Sequence, residues 1–182
     1  MISPTDVPEF ARGSPLLEGA YRMARDAHAQ RSNDGTNIDH PVEVAELLSA
    51  EGFDEQIVAA ALLHDVIEDT DTEPEEIEVN FGHEVARLVT EMTERGDIPS
   101  YERRKAEHRT RVVGDRNVAA IYAADKLSGA RELVDDPGSA PGAKVDHYLR
   151  TLGILCESYP DLPFLGELRS ELERLMAADS GT

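Results

Sequence analysis

The segment DEQIVAAALLHDVIEDT, residues 54–70, constrains the fold more than any other part of the chain. Its middle is apolar on every side, which is typical of a helix buried at the centre of a domain rather than one lying on a surface. Asp54 stands where a helix N-cap is expected. We therefore predict a central buried helix here, and such a helix needs other helices packed around it.

Apolar residues recur at helical spacing in most of the remaining chain, which is also rich in the strong helix formers Ala, Leu, Glu and Arg. The further predicted helices cover residues 14–30, 41–52, 71–82, 83–94, 101–113, 116–134, 143–159 and 162–178. Ser14 and Asp115 are additional N-cap candidates. We find no convincing strand. The prediction is an all-α fold of about eight or nine helices in one domain over residues 14–178, with a flexible N-terminal arm (1–13) and a frayed tail (179–182).

Charge and composition exclude several classes of partner. The formal net charge of the chain is −19. An acidic surface repels phosphate backbones, so we expect no nucleic-acid partner, whereas clustered carboxylates suit divalent cations. The single cysteine, Cys156, excludes an internal disulfide. The absence of a secretory segment and of an apolar run of 18 residues predicts a cytoplasmic protein with no membrane partner.

Four titratable side chains interrupt the central apolar segment: His64, Asp65, Glu68 and Asp69. On a continuous helix they would occupy two adjacent stripes. Buried carboxylates this close would repel one another, and a bound cation removes that penalty. The alternative is that these residues mark the solvent-facing side of an amphipathic helix.

Two further residues favour the metal hypothesis. His40 lies at a junction between a polar loop and a helix, and Asp125 lies in a helix of small and apolar residues. Together with His64 and Asp65 they would form a set of two histidines and two aspartates. Such nitrogen and oxygen donors suit one divalent ion, with Mn²⁺ preferred and Fe²⁺, Zn²⁺ or Mg²⁺ as alternatives. Glu68 and Asp69 could then orient or deprotonate a water molecule.

The motifs IDHPVEVAELL, AALLHDVIEDTDTEPEEIEVNFGHEVARLVTEMTE and AADKLSGARELV resemble the hydrolase domain of the RelA/SpoT class of HD-domain metal-dependent phosphohydrolases. The resemblance covers residues 15–175, and the chain length is similar to that of the stand-alone small alarmone hydrolases. It implies a helical HD domain around one Mn²⁺, in which metal-activated water removes the 3′-pyrophosphate of guanosine tetra- or pentaphosphate, the (p)ppGpp of the stringent response. In this resemblance His40, His64, Asp65 and Asp125 match the metal ligands, and Glu68 and Asp69 match the catalytic pair.

The same resemblance suggests substrate-binding residues: Arg31 in the loop before the first histidine, and Lys144 with Tyr148 on a later helix. Two departures concern the nucleotide site. Gly129 stands where the family usually has asparagine, and Asn37 stands where it has a tyrosine. They leave two alternatives open: an HD phosphohydrolase acting on a different phosphorylated nucleotide, and a vestigial metal- or nucleotide-binding sensor, against which the intact Glu68 and Asp69 argue.

A local excess of basic residues lies between Arg95 and Arg116, a stretch that holds seven of the 18 lysines and arginines. One interpretation is a basic edge that attracts an anionic substrate. The other is a solvated helix in which Glu102 and Glu107 pair with the basic side chains at helical spacing. A homodimer through residues 144–159 is a further alternative that the sequence leaves open.

Overall fold

The computed structural model describes residues 7–31, 38–136 and 142–179, with the side chains at 30, 31, 178 and 179 excepted. These residues include no strand, and the all-α prediction is confirmed. After a 3-10 helix at Glu9–Ala11, the helices are α1 (Pro15–Arg31), α2 (Asp39–Ala50), α3 (Glu55–Leu63), α4 (Val66–Asp69), α5 (Pro74–Phe81), α6 (His83–Met92), α7 (Tyr101–Val112), α8 (Arg116–Asp135), α9 (Gly142–Ser158) and α10 (Leu165–Asp179). The chain divides into two compact units, Met1–Glu94 and Arg95–Thr182.

Helix α3 is the centre of the first unit. It packs against α1, α2 and α6. Every residue from Ile57 to Leu63 is buried, which confirms the prediction of a central buried helix. Full burial of a leucine or isoleucine side chain contributes about 1.5–3 kcal/mol. The core of this unit therefore surrounds the segment that leads directly to His64.

The central segment is broken where a continuous helix was expected. Helix α3 ends at Leu63, His64 and Asp65 form a turn, and the four-residue α4 follows. Both turn residues keep right-handed helical backbone angles. The His64 Nδ1–H group donates to the Ala61 carbonyl over 2.8 Å. In an unbroken α-helix that carbonyl would accept from the N–H of Asp65, so the imidazole competes with the backbone for it.

The structure describes the beginning of the first unit from Val7 onward. Val7 and Ala11 are buried, and the Leu17 N–H donates to Ser14 Oγ over 3.3 Å, which confirms the Ser14 cap. Residues 1–6 of the predicted arm and 180–182 of the predicted tail lie outside the described residues. Later in this unit, Gly82 joins α5 to α6 with φ of +91°, a left-handed conformation that strongly favours glycine.

The second unit is built around α8, which packs against α7, α9 and α10. Asp115 caps this helix: one of its carboxylate oxygens accepts from the N–H groups of Asn117 (2.7 Å) and Val118 (3.2 Å). The predicted Asp115 cap is thereby confirmed. Asp54 also precedes its helix, yet its side chain makes no capping hydrogen bond. None of the described helices combines the length and the apolar character needed to cross a membrane.

Candidate metal centre

Three predicted metal ligands of the first unit come together in the structure. His40 is the second residue of α2, and His64 and Asp65 form the turn between α3 and α4. One potential ligand atom from each side chain lies within 4.8 Å of the other two. The two imidazole rings have centroids 5.5 Å apart. Two nitrogen donors and one carboxylate at this spacing can share one divalent cation.

The position of the ring proton of His64 also suits a metal ligand. Because Nδ1–H donates to the Ala61 carbonyl, the neutral ring carries its lone pair on Nε2. That nitrogen lies 3.3 Å from Asp65 Oδ2, and the His64 side chain is only 3% exposed. A lone pair and a carboxylate oxygen repel each other at this distance, whereas a cation bound to both would attract them. The donor set is therefore chemically suited to a metal.

Asp125, the fourth predicted ligand, belongs to the second unit. It is buried on α8, and its carboxylate accepts from the Lys126 ammonium over 2.6 Å. Burial lowers the pKa of Lys126, but the charge and hydrogen bond of Asp125, together with Tyr122 and Tyr148, outweigh this effect and raise that pKa well above its usual value. Asp125 therefore lies beside a lysine that stays charged. The complete four-residue ligand set stays a prediction.

Glu68 and Asp69 lie on α4, directly after the turn, and line a cleft of about 740 Å³ in the first unit. The Glu68 carboxylate accepts a hydrogen bond from the Glu94 backbone N–H, which fixes its orientation. Every charged residue that lines the cleft is acidic. The complete lining is Met23, Asp26, Ala27, Glu68, Asp69, Thr70, Asp71, Thr72 and Glu76. A cleft of this charge attracts cations and repels phosphate that arrives without them.

The sequence pattern of the HD domain matches residues 20–144 of the chain. The chain belongs to the HD-domain family. The guanosine-3′,5′-bis(diphosphate) 3′-pyrophosphohydrolase MESH1 of Homo sapiens is 38% identical over 128 residues, which are 68% of this chain and 72% of that protein. The guanosine-3′,5′-bis(diphosphate) 3′-pyrophosphohydrolase of Aquifex aeolicus is 36% identical over 123 residues, which are 64% of this chain and 18% of that longer protein.

Solved structures also resemble this HD domain. One, described as a metazoan ortholog of SpoT that hydrolyses ppGpp, has a TM-score of 0.72 and 26% identity, and the match covers 91% of this chain and 96% of that one. Another, lmo0812 from Listeria monocytogenes EGD-e, has a TM-score of 0.66 and 28% identity, over 75% and 94% of the two chains. The comparisons confirm the resemblance to the RelA/SpoT class and the prediction that the protein is a hydrolytic enzyme.

The predicted substrate-binding residues of this HD protein are placed only in part. Arg31 is the last residue of α1, and its side chain, like all of Asn37, lies outside the described residues. Lys144 and Tyr148 share one face of α9, and the Lys144 ammonium is 5.8 Å from the Tyr148 ring centroid. Tyr148 is buried, and burial raises the pKa of its phenol well above the usual value. The phenol therefore stays protonated at neutral pH.

A buried network in the second unit was missed by sequence reasoning. His147 Nδ1 lies 2.7 Å from Arg109 Nη1, and His147 Nε2 lies 3.3 Å from the Tyr122 hydroxyl. Arginine can only donate, so Nδ1 accepts and Nε2–H points to Tyr122. His108 packs its ring against the same tyrosine. No local pattern reveals this network, because its members lie on three different helices.

The basic segment makes several local pairs. Arg111 bonds Glu107 on the same helix over 3.2 Å, as the interpretation of a solvated helix predicts. Arg95 pairs with Asp97 over 2.9 Å. These charges are at least partly balanced by neighbours, so a basic edge for an anionic substrate gains no support from them.

Proposed function

We propose that this protein is a Mn²⁺-dependent pyrophosphohydrolase that removes the 3′-pyrophosphate of guanosine tetra- and pentaphosphate. The observation that carries the proposal is the convergence of donor atoms from His40, His64 and Asp65. It occurs in a chain with relatives of similar length that are named for this activity. We place the activity in the cytoplasm, where loss of (p)ppGpp would end a stringent response. A homodimer through α9 stays a prediction.

In this proposal His40, His64 and Asp65 hold the metal together with Asp125. Mixed nitrogen and oxygen donors suit Mn²⁺, with Fe²⁺, Zn²⁺ and Mg²⁺ as alternatives. The bound ion would supply Lewis acidity and lower the pKa of water at the site. His64 contributes a second property, since its bond to Ala61 fixes which ring nitrogen faces the ligand position.

Glu68 and Asp69 act on the attacking water. Both carboxylates line the acidic cleft, and Glu68 is oriented by the Glu94 N–H. A carboxylate in this position can accept a proton from the water as its oxygen attacks phosphorus. The same hydrogen bond can point a lone pair of that water oxygen at the phosphorus atom. Because the cleft is uniformly acidic, phosphate charge has to be offset by cations from outside it. We assign that role to Arg31 and Lys144 in addition to the metal.

The test is product analysis by mass spectrometry after incubation of guanosine 3′,5′-bis(diphosphate) with metal-stripped protein and each divalent metal in turn. We expect GDP and pyrophosphate, formed fastest with Mn²⁺. Asp65→Ala and His40→Ala should lose bound metal and turnover together. Failure of wild-type protein to release pyrophosphate with any metal would refute the proposed activity.

A second set of variants tests the catalytic pair. Glu68→Gln should retain the metal and lose about 10²- to 10⁴-fold in rate, the usual contribution of a positioned acid or base. The matched control is Glu75→Gln, which changes an exposed glutamate on α5 that does not line the cleft. Wild-type turnover by Glu68→Gln would exclude Glu68 from catalysis.

Gly129 favours a second candidate: an HD phosphohydrolase for a different phosphorylated nucleotide. Its lack of a side chain removes the amide that the family usually offers to the nucleotide. A substrate panel with Mn²⁺ separates the two candidates, because the first requires the guanosine compound to have the highest kcat/KM. Nucleotide binding without turnover under every metal would instead indicate a sensor.

A further inference from the structure

A small pocket in the second unit lies between α7 and α9. Its volume is about 90 Å³, which is the space of about three water molecules at roughly 30 Å³ each. Sites that enclose drug-sized ligands measure about 300–1,000 Å³. The pocket therefore suits a small ion, and a whole nucleotide does not fit into it.

The pocket lies apart from the predicted substrate-binding residues of α9. Its α9 lining comes from positions 143, 146, 147 and 150, which share one face of the helix. Lys144 and Tyr148 belong to another face, and the Tyr148 phenol packs against Gly129 on α8. The pocket is therefore a separate candidate site, to which the resemblance to the RelA/SpoT class assigns no role.

Three of the side chains that line the pocket are cationic, in a chain whose formal net charge is −19: Lys105, Arg109 and Arg150. Arg111 and Arg95, in contrast, pair with neighbouring carboxylates. No hydrogen bond or ion pair of Arg150 is found within the described part of the chain. The pocket therefore concentrates positive charge that the local pairs of the basic segment do not balance.

Arg109 is held in place by a buried histidine that also lines the pocket. His147 is 5% exposed, its Nδ1 accepts from Arg109 Nη1 over 2.7 Å, and its Nε2 lies 3.3 Å from the Tyr122 hydroxyl. Because Nδ1 accepts, the ring is neutral, and this contact leaves the guanidinium charge uncompensated. Arginine carries five N–H donors in a fixed fork, so most of them remain for a ligand. The histidine thus orients a full positive charge at the pocket.

Two carboxylates in the same lining, those of Glu102 and Asp146, indicate which anion fits. A carboxylate repels a fully ionised anion, but it accepts a hydrogen bond from an anion that still carries a proton. Inorganic phosphate keeps at least one proton at neutral pH, whereas sulfate keeps none. Three cations combined with two acceptors therefore match phosphate better than sulfate.

We propose that this pocket binds one inorganic phosphate ion, with Lys105, Arg109 and Arg150 as its cationic partners. The carboxylates of Glu102 and Asp146 accept the hydrogen bond from the protonated phosphate oxygen. The bound ion joins α7 to α9 through charge-assisted hydrogen bonds and stabilises the second unit. This site goes beyond the proposed function, and neither proposal depends on the other.

Isothermal titration calorimetry with sodium phosphate, at neutral pH and constant ionic strength, tests the site. Wild-type protein should show saturable binding. Arg109→Gln and Arg150→Gln should each weaken it about tenfold or more, the effect of losing a hydrogen bond between charged groups. The matched control is Arg103→Gln, which removes the same charge from an exposed position of α7 outside the pocket and should bind as wild type does.

Two further titrations identify the anion and the place where it binds. Sulfate should bind about tenfold more weakly than phosphate, and Glu102→Gln should narrow that difference, because one repulsive charge is gone. Asp65→Ala removes a proposed metal ligand from the first unit and should keep the phosphate affinity of this pocket. Phosphate should also raise the Tm of wild type and Arg103→Gln more than that of Arg150→Gln, in melting curves that report whether each variant is folded.

Four results would overturn the phosphate site. They are the absence of saturable binding, equal weakening by Arg103→Gln and Arg150→Gln, sulfate binding as tight as phosphate binding, and loss of all phosphate binding in folded Asp65→Ala. The second of these would show adventitious binding to a basic surface, and the fourth would place phosphate at the metal centre. Phosphate binding in the pocket without release of pyrophosphate by wild type would refute the proposed function alone.

Discussion

Replacing Asp115 with alanine should destabilise the second unit measurably, although Asp115 is not one of the proposed ligands. Its carboxylate holds the first turn of α8 through the N–H groups of Asn117 and Val118. Those N–H groups have no partner within the helix, so the substitution leaves two donors without their acceptor. The helix they begin is the centre of its unit.

The magnitude follows from these two bonds. Loss of an N-cap destabilises a protein by about 0.5–2 kcal/mol, and two bonds from one oxygen place Asp115 in the upper half of that range. Removal of a negative charge from the helix N-terminus adds to the same loss. For a protein of this length, about 1.5 kcal/mol lowers Tm by about 3–6 °C.

Urea and thermal unfolding followed by circular dichroism at 222 nm measure this loss. Two variants calibrate it. Asp115→Asn should stay close to wild type, because asparagine is an equally good N-cap. Asp54→Ala should lower Tm by less than about 1 °C, because the Asp54 side chain makes no capping bond. Equal losses for Asp54→Ala and Asp115→Ala would refute the argument, since sequence alone rates the two caps alike.

Two further predictions concern the second unit. Tyr122→Phe removes the hydroxyl that meets His147 Nε2 and should destabilise the protein by about 0.5–1.5 kcal/mol in urea unfolding, and an unchanged midpoint would show that the network contributes nothing. Asp161→Asn breaks the exposed pair with Arg116, whose hydrogen bond lowers the pKa of Asp161. That stabilisation is present above the unfolded carboxyl pKa of about 3.9 and is lost as pH falls through the lower folded value. The small Tm difference from wild type should therefore shrink as pH is lowered from 7 into the acid range, and a difference that grows on acidification would contradict the assignment.

The central helix could be predicted from sequence because its evidence is local. A helix that is apolar on all sides, as Ile57–Leu63 is, is normally buried at the centre of a domain. The grouping of His40 with His64 was predicted by motif resemblance and by the chemistry of the donor set. Periodicity by itself gives no distance between residues 24 positions apart.

Other features depend on tertiary contacts that no local pattern contains. The break at His64 arises from one side chain competing for one carbonyl, while the backbone angles stay helical, so helical periodicity passes through it unchanged. The contact between Gly129 and Tyr148 depends on how α9 packs on α8. The sequence indicated that Gly129 departs from the family, and only the packing shows which side chain uses the space.

The dual use of His64 limits how the site could be re-engineered. One nitrogen of its ring donates to the Ala61 carbonyl, and the other nitrogen faces Asp65. An aspartate or glutamate in its place would have no proton to donate to that carbonyl at neutral pH. A carboxylate at position 64 would therefore alter the chain path as well as the donor type. Attempts to retune the centre toward harder cations are better directed at His40, whose exchange leaves the α3–α4 turn intact.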